Sequence, residues 1–102
     1  RAKYEGFRPD SEYIKSFWEV LHGFDAEQQR RFLAFVTGSD RAPVGGLREL
    51  QLSVQRNGAE ADRLPLAHTC FNMLLLPEYP SQQRLREALL TAIENSEGFG
   101  LQ

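Results

Sequence analysis

A chain of 102 residues, 41% hydrophobic and 25% charged, has the length and composition of one small globular domain. Its net charge of −2 gives no indication of nucleic-acid binding, and no apolar run approaches the roughly 20 residues that a membrane-spanning helix needs. The single cysteine excludes an internal disulfide and cannot alone hold a structural zinc ion, and it favours a reducing compartment, the cytoplasm or the nucleus.

A polar lead-in at residues 1–9 precedes the first predicted helix. Asp10 or Ser11 can cap this helix, because both side chains accept hydrogen bonds from backbone N–H groups. The apolar residues follow the i, i+3, i+4, i+7 spacing of one helical face, and they are Ile14, Phe17, Trp18 and Leu21. Gly23 is typical of a residue that ends a helix.

A second helix is predicted to begin at Asp25, which forms a capping-box pattern with Gln28. The buried side of this helix is predicted at Phe32, Leu33, Phe35 and Val36. Gly38 ends it. About three residues join the two helices, so we expect a tight helical pair whose aromatic side chains form a core rather than a ligand site.

Two strands are predicted in the second half of the chain. The first is indicated by apolar residues that alternate with polar ones, at Leu50, Leu52 and Val54. Asn57-Gly58 is a strong turn signal. The run 70–76 is apolar apart from Asn72, as is typical of a central strand.

A final helix is predicted after Ser81, which can cap it. Its apolar face consists of Leu85, Ala88, Leu89, Ala92 and Ile93. Residues 97–102 are predicted to form a flexible tail, because glycines flank Phe99. Phe99 either docks elsewhere or packs on its own domain. The pattern as a whole predicts an α+β fold, a short sheet against three or so helices, with its core at residues 10–96.

Cys70 has three possible roles on the residues alone. It is a buried structural thiol, since free cysteine is among the most buried residue types, or a hydrolase nucleophile, or a carrier of an acyl group. A hydrolase needs an oriented histidine base, and the chain offers only His22 and His68. His68 lies on the same side of an extended chain as Cys70, but no residue is identified to orient it.

An acyl carrier makes smaller chemical demands than a hydrolase. Exchange of one thioester for another is nearly balanced in free energy, and an ordinary thiol is partly ionised at neutral pH, so no triad is required. The spacing of the residues does not choose between this role and a structural thiol.

Four separated parts of the chain carry recognisable motifs. They are residues 17–19, residues 35–46, the pieces 64–65, 68–72 and 76–79, and residues 98–100. In this order they resemble the C-terminal lobe (C-lobe) of HECT-type ubiquitin-protein ligases over essentially the whole chain. Residues 40–46, with 57–58 and 74–79, are similar to the branch of the papillomavirus-oncoprotein-associated ligase.

The resemblance implies a ubiquitin-protein transferase. Cys70 falls on the catalytic cysteine of the family, which takes ubiquitin from a conjugating enzyme as a thioester and passes it to a substrate lysine. His68 and Thr69 are implied to shape the surroundings of this cysteine. Phe99, fourth from the end, falls on a tail aromatic that the family needs for transfer to the substrate.

The implied partners are ubiquitin, a conjugating enzyme and a protein substrate, with no cofactor, metal, nucleic acid or membrane. The family domain also has a larger N-terminal lobe (N-lobe), which recruits the conjugating enzyme, and residues 1–9 are expected to follow the hinge between the lobes. Alone, the C-lobe is expected to be charged poorly, because proximity to the donor thioester is lost. The alternative is a non-catalytic protein-interaction domain in which Cys70 is buried.

Overall fold

The computed structural model describes residues 2–38, 51–59, 63–69 and 72–99, with side chains as far as Glu94. Three helices and four strands occur in these residues. In chain order they are β1 (Ala2–Glu5), α1 (Glu12–Gly23), α2 (Ala26–Thr37), β2 (Leu52–Arg56), β3 (Leu66–His68), β4 (Met73–Leu76) and α3 (Gln82–Phe99). The predicted α+β class is confirmed.

The four strands form one mixed sheet in the order β1-β2-β4-β3. β1 is parallel to β2, β2 is parallel to β4, and β3 is antiparallel to β4. The two outer strands were absent from the sequence prediction. β1 lies within the predicted lead-in and contains one large apolar side chain, Tyr4, and β3 has only three residues.

The predicted central strand is confirmed in part. β4 begins at Met73 rather than at Cys70, and Cys70 and Phe71 lie outside the described residues. Leu74 and Leu76 are fully buried, whereas Met73 and Leu75 are half-buried. β4 therefore lies centrally in the sheet with one face fully in the core. Of the residues that predicted β2, Leu52 and Val54 are buried and Leu50 lies outside the described residues.

The helix starts form as the sequence predicts. Ser11, not Asp10, caps α1, and its Oγ accepts a hydrogen bond of 3.2 Å from the N–H of Ile14. Asp25 and Gln28 make the reciprocal capping box, with bonds of 2.7 and 3.0 Å. Ser81 Oγ accepts from the N–H of Arg84 in the first turn of α3. These bonds satisfy N–H groups that have no partner within the helix.

One hydrophobic core lies between the helices and the sheet. Its fully buried side chains include Phe17, Phe32, Leu52, Leu74, Leu85 and Leu89. Every residue of the predicted α3 face is buried. Trp18 is only half-buried, and its Nε1–H donates a hydrogen bond of 2.9 Å to the Tyr4 hydroxyl at the edge of the core. None of the described helices is long and apolar enough to cross a membrane.

α3 is longer than the sequence suggests. It continues to Phe99 and so includes residues 97–99 of the predicted tail. A glycine inside a helix costs about 1 kcal/mol relative to alanine, so Gly98 alone does not stop a helix that is anchored by a buried face. The division of the chain into domains stays a prediction: residues 1–9 following the hinge between the lobes, residues 10–96 as the core of the C-lobe and residues 97–102 as the tail.

Candidate functional site

Cys70 belongs by sequence to the short connection between β3 and β4. Cys70 and Phe71 lie outside the described residues. The geometry that the structure describes is therefore that of the residues on either side of them. β3 and β4 are antiparallel, with His68 opposite Met73, and residues 69–72 join the pair. Thr69 and Asn72 are therefore the described residues on either side of the candidate nucleophile.

Asn72, the last residue of the connection, is held by two backbone hydrogen bonds. The N–H of Asn72 donates to the carbonyl of Thr69 at 3.4 Å, and the carbonyl of Asn72 accepts from the N–H of Ser53 at 3.0 Å. Asn72 has φ +49°, and it is the only non-glycine residue with positive φ in the described part of the chain. Asparagine tolerates this left-handed conformation better than most residues. The chain on the C-terminal side of Cys70 is thus bonded to β2 at Asn72.

The residue before Cys70 is held by the end of α2. Gly38 caps this helix in the left-handed conformation, with φ +72° and ψ +15°, and its N–H donates to the Ala34 carbonyl at 2.8 Å. The side chain of Thr69 lies directly against Gly38. A Cβ atom at position 38 would lie 2.9 Å from Thr69 Cβ and within 3.2 Å of both other side-chain atoms. Thr69 is otherwise exposed to solvent.

The two histidines lie on different elements. His68 ends β3 and is exposed, and His22 lies in the last turn of α1, where its ring is 6.0 Å from that of Trp18. In the ranges with described side chains, neither ring is hydrogen-bonded to a carboxylate. A hydrolase base needs such an orienting partner, so these contacts give no support to the hydrolase alternative.

β3 presents one exposed face beside the connection. Leu66 and His68 lie on this face because side chains alternate along a strand, and Leu66 is 54% exposed. Ala67 points the other way and is half-buried. The strand that leads into the candidate site therefore offers an apolar and a polar side chain to an approaching partner.

The far end of the hairpin is fixed by Tyr79. Its hydroxyl donates a hydrogen bond to the carbonyl of Arg63, just before β3, and burial raises the pKa of Tyr79 to about 12. The Tyr13 hydroxyl of α1 accepts from the Tyr79 N–H at 3.0 Å and donates to the Pro77 carbonyl at 2.6 Å. Burial raises the pKa of Tyr13 above its usual range as well. The sequence places Tyr79 in the motif 76–79 but gives a role to neither tyrosine, because contacts between distant segments leave no local pattern.

Phe99 is the last residue of α3, and its side chain is outside the described atoms. The structure therefore gives no distance between Phe99 and Cys70, and the role of Phe99 in transfer stays a prediction. No group of three or more potential metal ligands occurs among the residues that could be searched, which are the described ones.

Comparison with known proteins gives a consistent result. The family model described as "HECT-domain (ubiquitin-transferase)" matches residues 1–102. The chain is 46% identical over 101 residues to "Probable E3 ubiquitin-protein ligase HECTD2" of Homo sapiens, which covers 99% of this chain and 13% of that protein. It is 48% identical over 88 residues to "Probable E3 ubiquitin-protein ligase HERC4" of Homo sapiens, covering 86% of the chain and 8% of that protein.

A fungal relative gives the same picture. "Probable E3 ubiquitin-protein ligase HUL4" of Eremothecium gossypii is 45% identical over 95 residues, covering 93% of this chain and 11% of that protein. The chain thus spans 13% or less of the length of these relatives. The branch that residues 40–46 suggest stays a prediction.

Proposed function

Since the chain belongs to the HECT-domain family of ubiquitin transferases, we propose that Cys70 accepts ubiquitin as a thioester and passes it to a lysine of a protein substrate. The observation that carries the proposal is that Cys70 is the only thiol in a chain that the family model matches throughout. It belongs to a connection whose described flanks include the exposed residues His68 and Thr69.

The first step is an exchange between two thioesters. The Cys70 thiolate attacks the terminal carbonyl of ubiquitin, a new C–S bond forms, and the bond to the cysteine of the conjugating enzyme breaks. The departing thiolate takes up a proton. One thioester replaces another, so the step is nearly balanced and needs no histidine held by a carboxylate.

The second step forms an amide. A neutral lysine amine attacks the thioester carbonyl, the C–N bond forms, the C–S bond to Cys70 breaks, and the proton lost by nitrogen is taken up by the thiolate or solvent. The amide is more stable than the thioester, so this step proceeds forward. Phe99 is proposed to assist here, as the family resemblance implies, while His68 and Thr69 shape the surroundings of Cys70.

The proposed partners are ubiquitin, a conjugating enzyme and a protein substrate. The relatives are far longer than this chain, so the recruitment of the conjugating enzyme is proposed to belong to an N-lobe outside it. The chain by itself is expected to be charged slowly, because a bimolecular encounter replaces a held geometry.

The decisive experiment joins this chain to the N-lobe of a HECT relative and adds a conjugating enzyme charged with ubiquitin. We expect a ubiquitin adduct that a reducing agent cleaves, and no adduct with Cys70→Ala. Cys70→Ser is the matched control, because it keeps the side-chain shape but replaces the thiol with a weak nucleophile. A reducible adduct on the alanine variant would contradict the proposal.

The non-catalytic alternative is separated by a second measurement. Alkylation of the folded chain with iodoacetamide reports whether the Cys70 thiol is accessible. Rapid alkylation under native conditions is the expected result. A thiol that reacts only after denaturation, together with no ubiquitin adduct, would instead favour an interaction domain with a structural cysteine.

A further inference from the structure

We propose that Gly38 is a positioning residue for Cys70, because its missing side chain lets Thr69 lie directly against the end of α2. Gly38 is distant from Cys70 in sequence and acts only through Thr69. The inference rests on the proposed function of Cys70, and it adds a residue to the machinery that this function needs.

Two independent features of Gly38 demand glycine. Its backbone has φ +72°, which side-chain-bearing L-residues rarely adopt. In addition, a Cβ atom would lie 2.9 Å from Thr69 Cβ, 3.1 Å from Cγ2 and 3.2 Å from Oγ1. A distance of 2.9 Å is shorter than any ordinary carbon–carbon contact, so Thr69 or the end of α2 would have to move.

The contact involves a helix end that is itself well anchored. α2 buries Phe32, Leu33 and Val36 in the core, and it packs against β3, β4 and α3. Its last turn is closed by the bond from the Gly38 N–H to the Ala34 carbonyl. Thr69, in contrast, is exposed and follows a strand of three residues. An added side chain at position 38 is therefore expected to displace Thr69 rather than the helix.

Displacement of Thr69 reaches Cys70 through the covalent chain. Consecutive Cα atoms are about 3.8 Å apart, so a shift at one residue is passed to its neighbour unless the backbone compensates. Asn72, the next described residue after Thr69, donates its N–H to the Thr69 carbonyl and accepts from the Ser53 N–H at its own carbonyl. The described residues on either side of Cys70 are therefore held, Thr69 against the end of α2 and Asn72 on β2.

Thioester exchange is sensitive to such a shift. The sulfur must approach the carbonyl carbon of a ubiquitin held by other surfaces, and a misplacement of about 1 Å lowers such rates by up to about a hundredfold. Alkylation by a small, freely diffusing reagent has no comparable requirement for orientation. A positioning residue should therefore affect ubiquitin transfer much more than alkylation.

The test uses Gly38→Ala in the fusion with the N-lobe of a HECT relative, with the charged conjugating enzyme as donor. We expect single-turnover thioester formation to slow about tenfold, and alkylation by iodoacetamide to change less than about twofold. Gly38→Asn separates the two features of the site, because asparagine tolerates positive φ but still carries a Cβ. It should slow transfer to a similar degree.

Gly23→Ala is the matched control. Gly23 also ends a helix, yet a Cβ atom there meets no other atom within 4 Å. This variant should charge at the rate of the unchanged protein. A melting curve for each variant establishes that the fold persists, since general unfolding would increase alkylation instead of selectively lowering transfer.

A double-mutant cycle tests whether Gly38 acts through Thr69. In a Thr69→Gly background the contact no longer exists, so the additional effect of Gly38→Ala should fall to about twofold or less. Unchanged transfer in Gly38→Ala, or an equal effect in both backgrounds, would overturn the inference. The proposed function is judged separately by Cys70→Ala, which must abolish the adduct whatever Gly38 does.

Discussion

At the scale of single residues, Glu27 shows how the surface of α2 depends on pH. Its carboxylate accepts hydrogen bonds from Arg30 at 2.6 and 3.1 Å and from Arg31 at 3.1 Å. The two bonds from Arg30, and then the bond from Arg31, lower the pKa of Glu27 from 4.5 to about 2. All three side chains are substantially exposed, so solvent and salt weaken the stabilisation that these pairs provide.

Glu27→Gln tests this cluster. A carboxyl group with a lowered folded-state pKa contributes stability above its unfolded pKa, near 4.5, and loses it as the pH falls toward about 2. The variant should therefore be slightly less stable than the unchanged chain at neutral pH and equally stable once the pH is below about 2. Urea unfolding at the two pH values measures the difference. Glu12→Gln is the control, because the Glu12 carboxylate lies 3.9 Å from the Lys15 amine, beyond the length of a hydrogen bond. A difference in stability between Glu27→Gln and the unchanged chain that did not vary with pH would contradict the expectation.

At the scale of elements, Tyr13 connects α1 with the segment between β4 and α3. Its hydroxyl accepts one hydrogen bond from the Tyr79 N–H and donates another to the Pro77 carbonyl. Tyr79 in turn bonds to the Arg63 carbonyl before β3. Through these bonds a residue of the first helix fixes the start of the strand that leads to Cys70. The ring of Phe7 stacks on that of Tyr13, with 5.4 Å between the ring centroids.

Tyr13→Phe removes both bonds while it keeps the ring. The Tyr79 N–H and the Pro77 carbonyl lose their partner, so we expect a loss of about 1–3 kcal/mol in the free energy of unfolding. Tyr79→Phe removes one bond and should cost less, about 1 kcal/mol. Urea unfolding at neutral pH compares the two variants. A Tyr13→Phe variant as stable as the unchanged chain would show that these bonds are not needed.

The same residue predicts an alkaline limit. Burial raises the pKa of Tyr13 above its ordinary value of 10.0, so the unfolded chain ionises this group at a lower pH than the folded chain does. The unfolded state then binds fewer protons, and stability falls as the pH rises above about 10. Tyr13→Phe should reduce this fall, as urea unfolding of the variant and the unchanged chain at increasing pH would show.

At the scale of the whole molecule, transfer to lysine is proposed to involve the end of α3 as well as the β3–β4 connection. Phe99→Ala should leave thioester formation within about twofold and slow transfer from Cys70 to lysine about tenfold, because only the second step is proposed to use this side chain. A pulse-chase with labelled ubiquitin separates the steps. Thr91→Ala, exposed on the same helix, should alter neither step. Equal loss of both steps in Phe99→Ala would contradict the proposed role.

The sequence predicts features whose residues are close together in the chain, and it does not predict contacts between residues that are far apart in it. The capping box at Asp25 and the buried face of α3 are local patterns, and both were predicted correctly. β1 was missed because its parallel partner lies far along the chain, and only alternation around Tyr4 indicates it. The contact between Gly38 and Thr69 joins distant segments, so only the folded structure shows that the end of α2 lies against the residue before Cys70.

The pairing of β1 with β2 has a consequence for the timing of folding. Ala2 pairs with Leu52, so β1 leaves the ribosome without its partner strand until about 50 further residues have been made. At typical rates of synthesis this delay is roughly 3–10 s, far longer than the microseconds in which a helix forms. The pair α1 and α2 can therefore assemble first, and the sheet closes only after β2 and β4 have emerged beside them.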